Sequence, residues 1–387
     1  MIHENIRQRC CGGYGSSTLI ALVALCLMFS MWEGIIQPVV AAPTESTSTA
    51  APYCQGRLAL VTGGTGQTGR LATMDLLRDG FCVRILTRSI SKGEHKFQIL
   101  DDEEQRQRLD FVEGTLGDGV SVPKAFESSQ RFGADTAVSH VVFIAGGEDA
   151  DFDAVNHRGV AECAKQAAVA ESESMVVVSA AWVSKPYSLA SVLFNSLYDD
   201  LPMSKHLQGE DALREIGREH PSLNYVVLRA GRLVPDHEYP PDAADGLWIA
   251  QDDDFAFFGP AGNPGMSQTL LARSVVTAMK VKGKYTVQIT SGSTLPDDVA
   301  IYSTLVQDSA SSTLVAPEEI DRWHQQAVTD LKVMFASICV GTLVLFVLLG
   351  WKLGFVLSLL IIGASAWIWS VYWLNLSVAS LAASAKK

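Results

Sequence analysis

Leu58 to Arg70, which read LALVTGGTGQTGR, decide the fold of this chain. The opening Leu58–Val61 is an apolar run typical of a buried strand, and apolar residues at helical spacing follow the stretch. Between them, Gly63 permits a tight turn, Gly66 lets bare backbone approach a pyrophosphate, and Gly69 lets helix and strand pack closely. Strand, glycine turn and helix in this order predict a dinucleotide site at a positive helix end. The alternative is an ordinary turn of an α/β domain that binds nothing.

Strand-like and helix-like segments alternate from residue 57 to residue 291. The predicted strands are Arg57–Thr62, Cys82–Thr87, Asp110–Glu113, His140–Ala145, Met175–Ser179, Tyr225–Ala230 and Tyr285–Ile289. Most are apolar without alternation, as strands buried on both faces are. The pattern predicts an α/β, Rossmann-like, doubly wound parallel sheet. Ligands of such sheets bind at the carboxyl ends of the strands, which would place Thr62, Thr87, Glu113, Ala145 and Ser179 around one crevice.

Charge and cysteine content exclude several classes of function. The net charge of −12 over 387 residues argues against a nucleic-acid partner, because phosphate binding needs clustered Lys and Arg. The seven cysteines form no CxxC pair and no Cys/His cluster. We therefore expect no disulfide framework and no metal site. Cys82 and Cys163 are interpreted as small core residues.

The N-terminal segment has the order of a secretory signal. Residues 1–42 run from a polar start with Arg7 and Arg9, through the apolar stretch Thr18–Trp32, to the small residues of Val39–Ala42. A retained signal anchor is the alternative. Residues 43–56 are rich in Ser, Thr, Ala and Pro and predict a flexible linker.

The C-terminal part predicts a transmembrane helical hairpin over residues 333–376. Two apolar segments, Val333–Leu349 and Phe355–Leu376, are separated by Gly350–Gly354, and each approaches the ~20 residues that a membrane-spanning helix needs. An acidic linker, residues 292–332, precedes the hairpin and contains a short amphipathic helix around Ile320, Trp323 and Val328; residues 377–387 form a tail. The chain is therefore expected in a membrane as a multi-pass protein, in contact with the lipid bilayer. The leader fits the endoplasmic reticulum and secretory route, or a plastid membrane.

Further motifs along residues 57–291 resemble those of one family. Thr62–Arg70 (TGGTGQTGR) resembles the TGxTGxxGR fingerprint of the atypical short-chain dehydrogenase/reductases, in particular their NmrA-like NAD(P)-binding group. Five later segments resemble further motifs of the family and occur in the same order. Val83–Arg88 resembles its second strand, Phe111–Asp118 its loop with the GD motif, and Val155–Gly159 its VNxxG helix. Val176–Pro186 resembles its fifth strand, and Lys205–Leu233 resembles its KxxxExxL…RPG region. The closest variety is that of plastid NAD(P)-binding domain proteins.

The resemblance implies a pyridine nucleotide as the cofactor. Its expected contacts are Thr62, Gly63, Gly64, Thr65, Gly66, Gln67, Thr68, Gly69, Arg70, Arg88, Thr115, Ala145 and Lys205. NAD-specific sheets carry an acidic residue after the second strand, where this chain has Thr87-Arg88-Ser89. A guanidinium suits a 2′-phosphate, so NADP(H) is favoured over NAD(H). Thr115 stands where the family has Asp near the adenine.

The catalytic pattern of the family is incomplete in this chain. Short-chain reductases use a Tyr four residues before a Lys, and Lys205 fits the Lys position while Leu201 occupies that of the Tyr. Tyr187 and Tyr198 are alternative acids, although neither has the expected spacing. Ser179 is a candidate for the hydroxyl beside the nicotinamide. Glu210 and Arg214 predict a surface ion pair, and His157 and His206 are expected to be exposed.

Two functions are therefore compatible with the sequence. The first is a membrane-anchored, NADP(H)-dependent oxidoreductase acting on a small or lipidic substrate. The second is a non-catalytic NADP(H)-sensing scaffold or assembly factor that reports to a membrane-protein partner, and the missing Tyr favours it.

Overall fold

The computed structural model describes residues 54, 57–100, 102–129, 131–132, 136–146, 151–239, 246–251, 253, 265–292, 299–308, 314–368, 376–378 and 380–381. These residues belong to one compact unit, Ala51–Lys387. The leader predicted over 1–42 lies outside the described residues, as do most of the 43–56 linker and most of the 377–387 tail.

The described residues form ten strands, and the apolar runs of the sequence account for seven of them. In chain order they are β1 Leu58–Thr62, β2 Cys82–Thr87, β3 Leu109–Glu113, β4 Val138–Phe143, β5 Ser174–Ala180, β6 Asn224–Ala230, β7 Leu233–Val234, β8 Gly246–Gln251, β9 Met266–Ser267 and β10 Lys284–Gly292. Eight form one sheet in the order β3-β2-β1-β4-β5-β6-β10-β8, while β7 and β9 pair separately. Every pair in the large sheet is parallel except β10–β8. The parallel prediction is therefore confirmed, with an antiparallel edge strand added.

Helices cover both faces of this sheet. They are α1 Gln67–Arg78, α2 Ile90–Phe97, α3 Glu103–Gln107, α4 Ser121–Phe126, a π-helical segment Asp153–Gly159 that continues into α5 Val160–Val169, α6 Leu189–Leu197, α7 Pro202–Glu219, α8 Gln268–Ala278, a 3₁₀ turn Val299–Thr304, and α9 Pro317–Ile368. One apolar core joins the sheet to α1 and α8 through Leu76 and Val275, and the other joins it to α5 and α7 through Cys163 and Leu213. Two cores on opposite faces are the mark of a doubly wound fold.

A disulfide joins Cys54 to Cys82, which corrects the expectation of no disulfide. Cys82 begins β2 and pairs in register with Leu58, so the chain just before β1 lies beside the start of β2. The Cα atoms of the two cysteines are 5.4 Å apart. Their 28-residue separation carries no signal in the sequence, because strand pairing alone brings them together. Cys163 is a buried free thiol, as the core interpretation predicted.

The amphipathic helix predicted around Ile320 is the first part of α9, and it packs on the α/β domain. Ile320, Ala327 and Val328 are buried there. Beyond Leu331 those apolar side chains of the helix that the structure describes are largely exposed. In the described part of the chain, one helix, Pro317–Leu349, is long and apolar enough to cross a membrane, and a shorter apolar stretch covers Phe355–Ser365. The backbone stays helical through residues 350–354, where a turn between two helices was expected.

Candidate nucleotide-binding site

The glycine loop lies between the end of β1 and the start of α1. Gly63 adopts φ +76°, a left-handed conformation that favours glycine, and the N–H of Gly66 closes the turn on the carbonyl of Gly63 at 2.9 Å. Gly66 is the N-cap of α1 and no side chain caps the helix. The first N–H groups of α1 are therefore available to an anion at the positive end of the helix.

Close packing leaves no room for side chains around this loop. A Cβ on Gly63 would lie 2.7 Å from the Cα of Ala145, and one on Gly69 would lie 2.1 Å from the carbonyl oxygen of Gly63. At Gly66, by contrast, a Cβ would meet only the Gly63 carbonyl, at 3.2 Å, and Gly66 is exposed. An exposed backbone cradle at a helix start fits a diphosphate group, so these residues fit the predicted nucleotide.

The loop residues that are predicted to contact the nucleotide differ in how exposed they are to solvent. Thr62, Gly64, Thr68 and Gly69 are buried beneath the loop, whereas Thr65, Gly66, Gln67 and Arg70 are partly or fully exposed around it. Lys96 of α2 donates from Nζ to the carbonyl oxygen of Thr65 at 2.6 Å. Nothing in the sequence points to this role of Lys96, because only folding brings α2 over the glycine turn.

Arg88 follows β2 directly and is exposed. The next residue, Ser89, caps α2 by accepting from the Lys92 N–H. Since β2 runs parallel to β1 with Leu86 opposite Thr62, the end of β2 and the glycine loop lie at the same sheet edge. The exposed Lys92 and Lys96 follow on α2, so the region after β2 is basic.

Thr115 lies in an exposed loop after β3 that Asp118 organises. The Thr115 N–H donates to the Ser121 hydroxyl at 2.9 Å, and that hydroxyl donates to the Asp118 carboxylate. Burial by itself would raise the pKa of Asp118, but the hydrogen bonds that Ser121 and Val120 donate to it together outweigh burial and lower the pKa. The side chain of Thr115 remains exposed at the edge of the loop.

Ser179 is buried at the end of β5, and its hydroxyl serves a charged network. Its Oγ donates to Oε1 of Glu210 at 2.6 Å. Oε2 of Glu210 accepts from Arg229 at 2.7 Å and from Arg214 at 2.8 Å. Glu210 and Arg214 are 1% and 9% exposed, so the prediction of a surface pair is wrong. The i,i+4 spacing of Glu210 and Arg214 does predict that they pair, but this spacing does not reveal which face of α7 is buried.

The same network extends to Asp253, which the sequence analysis did not single out. Asp253 is fully buried and accepts from Arg229 at 3.1 Å and from the backbone N–H groups of Trp182 and Ser184 at 2.6 and 3.0 Å. Trp182 has φ +66°. Asp253 therefore fixes the turn that follows β5, in a conformation that a non-glycine residue rarely adopts.

Lys205 is held by α9. Its Nζ lies 2.8 and 3.0 Å from the two carboxylate oxygens of Asp321 and 3.8 Å from Asp153. Asp321 also accepts from Ser204 and Gln208, at 2.7 and 2.8 Å. The ammonium group of Lys205, which the sequence predicts to contact ribose, is thus paired with Asp321 of α9, the helix that leads to the apolar segment.

The two candidate tyrosines have structural partners. Tyr187 is 2% exposed and donates from its hydroxyl to Asp330 of α9 at 2.9 Å. Burial and this carboxylate raise the pKa of Tyr187, which makes it a poorer acid. Tyr198 packs edge-on against Phe152, with ring centroids 5.1 Å apart. Pro202 begins α7, so Tyr198 lies before the helix that carries Lys205.

The two histidines near Lys205 are partly exposed, where full exposure was expected. His157 contacts Asp153 at 3.0 Å. His206 lies 3.2 Å from the Asn156 amide, and burial lowers its pKa to about 4. Among the described residues, no group of three or more His, Cys, Asp or Glu is placed to hold a metal ion.

A family model described as NAD(P)H-binding matches residues 63–280. No curated protein matches the chain. Solved structures with a similar fold include a putative NAD-dependent epimerase/dehydratase from Bacillus halodurans, with 16% identity, coverage of 64% of this chain and 100% of that chain, and a TM-score of 0.45. Another is WbmG from Bordetella bronchiseptica in complex with NAD, with 14% identity, coverage of 69% and 87%, and a TM-score of 0.41. ChuY, an anaerobillin reductase from Escherichia coli O157:H7, has 13% identity, coverage of 60% and 97%, and a TM-score of 0.41.

Proposed function

Because this chain belongs to the NAD(P)H-binding family, we propose that it is a membrane-anchored NADP(H) sensor rather than a reductase of the tyrosine–lysine type. The observation that carries nucleotide binding is the uncapped start of α1 behind the exposed Gly66. The observation that favours sensing is the pairing of Lys205 with Asp321. A bound nucleotide and α9 would compete for the same ammonium group, and such competition couples the site to the apolar helix.

Preference for NADP(H) rests on Arg88 and on the absence of a carboxylate at residues 87–89. Charge-assisted bonds to a phosphate contribute about 1.5–3 kcal/mol, or roughly 10- to 150-fold in affinity. Titration of the full chain in detergent with NADPH and NADH should show tighter binding of NADPH. Arg88→Gln should weaken NADPH binding about tenfold or more and leave NADH binding unchanged, whereas the exposed Arg78→Gln should affect neither. Equal affinities for the two nucleotides in the wild type would contradict this preference.

The absence of catalysis is supported by the partners of the candidate residues. Ser179 donates to Glu210, and Tyr187 donates to Asp330. Full chain with NADPH should therefore give no turnover with a panel of aldehydes, ketones and quinones. Turnover that Lys205→Ala abolishes, while NADPH binding persists, would establish the oxidoreductase alternative instead.

The contacts of residues near the C-terminus with the α/β domain support membrane anchoring through a hairpin. Leu376 and Leu381 pack on the same cluster as Met334, and the Val378 N–H donates to the Ser184 carbonyl at 2.8 Å. A straight helix would place Ile368 about 51 Å from Met334, whereas the eight residues from Ile368 to Leu376 span at most about 29 Å. Helix α9 therefore cannot be straight along its whole length, and the bend that we propose for the hairpin lies between Met334 and Ile368. Epitope tags at residue 310 and at the C-terminus should have the same protease accessibility in sealed vesicles; opposite accessibility would rule out a hairpin.

The Cys54–Cys82 disulfide supports the secretory route among the predicted locations, because disulfides persist in oxidising compartments. In that arrangement the leader delivers the α/β domain to the lumen, and the hairpin keeps the tail on the same side. Rapid alkylation of intact cells should leave Cys54 and Cys82 unmodified until a reductant is added.

A further inference from the structure

Helix α6 carries an apolar face that is about half exposed, and the ring of Phe194 on it also packs against Tyr198, with centroids 5.7 Å apart. Leu189, Leu193, Phe194 and Leu197 are 40%, 46%, 45% and 61% exposed. Their spacing of four, one and three residues places them on one side of the helix. The whole helix, LASVLFNSL, contains no charged residue. Single exposed apolar residues are common, but four on one face of a nine-residue helix indicate an interaction surface.

The opposite face of α6 is fixed to α9 by buried polar contacts. Nδ1 of His324 lies 2.9 Å from the amide of Asn195 and 3.2 Å from the hydroxyl of Ser191, and its Nε2 lies 3.1 Å from the Val183 carbonyl. His324 is fully buried. Because both ring nitrogens of His324 have hydrogen-bond partners, His324 fixes the orientation of α6 on α9. The apolar face of α6 is therefore held in an outward orientation.

The start of α6 lies where α9 becomes apolar. Tyr187, two residues before the helix, bonds to Asp330, and Val192 packs in one cluster with Leu331 and Met334. From Glu318 to Lys332 the exposed residues of α9 are polar, and those that follow include Val333 and Phe335, which are 59% and 56% exposed. The start of α6 is therefore level with the start of the proposed membrane segment.

We propose that the apolar face of α6, formed by Leu189, Leu193, Phe194 and Leu197, docks on the lipid bilayer beside α9. The inference rests on the proposed membrane anchoring. Lipid is the occupant that the surroundings favour, because the face begins at the level where α9 leaves water and has no charged residue to match a polar protein partner. The helix extends about 12 Å from its first residue to its last, so Leu189 and Leu193 lie closest to the acyl chains and Leu197 farthest.

Photocrosslinking of the full chain in phosphatidylcholine vesicles tests this surface. p-Benzoylphenylalanine replaces Leu193, Phe194 or Leu197 in turn, and alkyne-tagged phosphatidylcholine reports lipid adducts. Val169, which is 69% exposed on α5, is the matched control, and Val340, 62% exposed on α9, reports insertion of the membrane segment. We expect lipid adducts at residues 340, 193 and 194, a lower yield at 197, and none at 169.

The outcomes separate this proposal from the proposed anchoring. An adduct at residue 340 without one at 193 or 194 would overturn lipid docking of α6 and leave the anchor intact. A protein–protein crosslink at 193 or 194, including one to a second copy, would identify the face as a protein interface and also overturn it. No adduct at residue 340 would remove the membrane segment itself, and the docking surface with it. NADPH affinity, measured on the same variants, should equal that of the wild type.

Discussion

At the scale of single residues, Glu210 is the buried carboxylate that joins Ser179 to two arginines. Its carboxylate is 1% exposed and is bound by Arg229, Arg214 and Ser179. Loss of one partner from a buried ion pair leaves an uncompensated charge, which costs about 3–5 kcal/mol. The network joins α7 to β5, β6 and the turn after β5, so this residue determines how those elements fit together.

Replacing Glu210 by Gln should therefore lower the free energy of unfolding by about 3 kcal/mol or more at neutral pH. Glu215→Gln on the same helix is the matched control, because Glu215 is exposed and should change stability by less than about 0.5 kcal/mol. Urea denaturation of both variants in detergent measures the difference. Similar midpoints for the two variants would show that the buried pair contributes no net stability.

The lowered pKa of the Glu210 carboxylate should make the stability of the folded protein sensitive to acid. Burial alone would raise the pKa of Glu210, but Arg229 and Arg214 outweigh it and lower the pKa from 4.5 to about 2. Because the folded pKa lies below the unfolded one, the stabilisation is complete above about pH 4.5 and is lost as the pH falls toward 2. We expect a loss of about 3 kcal/mol from this group over that range. Unfolding midpoints between pH 5 and pH 2.5 should fall less steeply for Glu210→Gln than for Glu215→Gln.

At the scale of elements, the docking of α9 on α7 is the contact that distinguishes this chain from a free nucleotide-binding domain. Asp321 receives Lys205, Ser204 and Gln208 from one face of α7. Because this cluster is partly buried and hydrogen-bonded several times, it contributes more than an exposed surface ion pair would. It also occupies Lys205, for which the sequence predicts a contact with ribose.

Asp321→Asn should loosen this docking and release Lys205. Hydrogen exchange across residues 317–331 should speed up by about 5- to 50-fold, which corresponds to roughly 1–2.3 kcal/mol of lost local stability. By linkage, NADPH affinity should rise. Glu318→Gln, at an exposed position one turn earlier on α9, should change neither quantity. Faster exchange without tighter binding would show that Lys205 does not couple the two sites.

At the scale of the whole molecule, the Cys54–Cys82 disulfide ties the chain before β1 to the central sheet. It closes a loop with a sequence separation of 28 residues. The chain-entropy estimate for such a loop is about 3.5 kcal/mol at 25 °C. The link therefore stabilises the sheet at the strand that carries the glycine loop.

Reduction should lower the thermal unfolding temperature of the wild type by several degrees, because a single link of this size contributes about 3.5 kcal/mol. Cys82→Ser should unfold at the temperature of the reduced wild type and should not respond to reductant. Cys163→Ser, at a free thiol, should respond to reductant as the wild type does. A wild-type melt unchanged by reductant would show that the link does not contribute to stability.

The sequence by itself determined the parallel sheet and the glycine loop, because both depend on local patterns. Apolar runs without alternation identify strands buried on both faces, and Gly63 and Gly69 permit a turn that residues with side chains would block. Only the tertiary structure decided the roles of Ser179, Lys205 and Glu210. Their partners lie 31, 116 and 19 residues away in the chain, and neither spacing nor composition shows which distant charge will meet them. The Cys54–Cys82 link and the contact of α9 with α6 and α7 have the same origin, since packing of whole elements, rather than local propensity, brings these groups together.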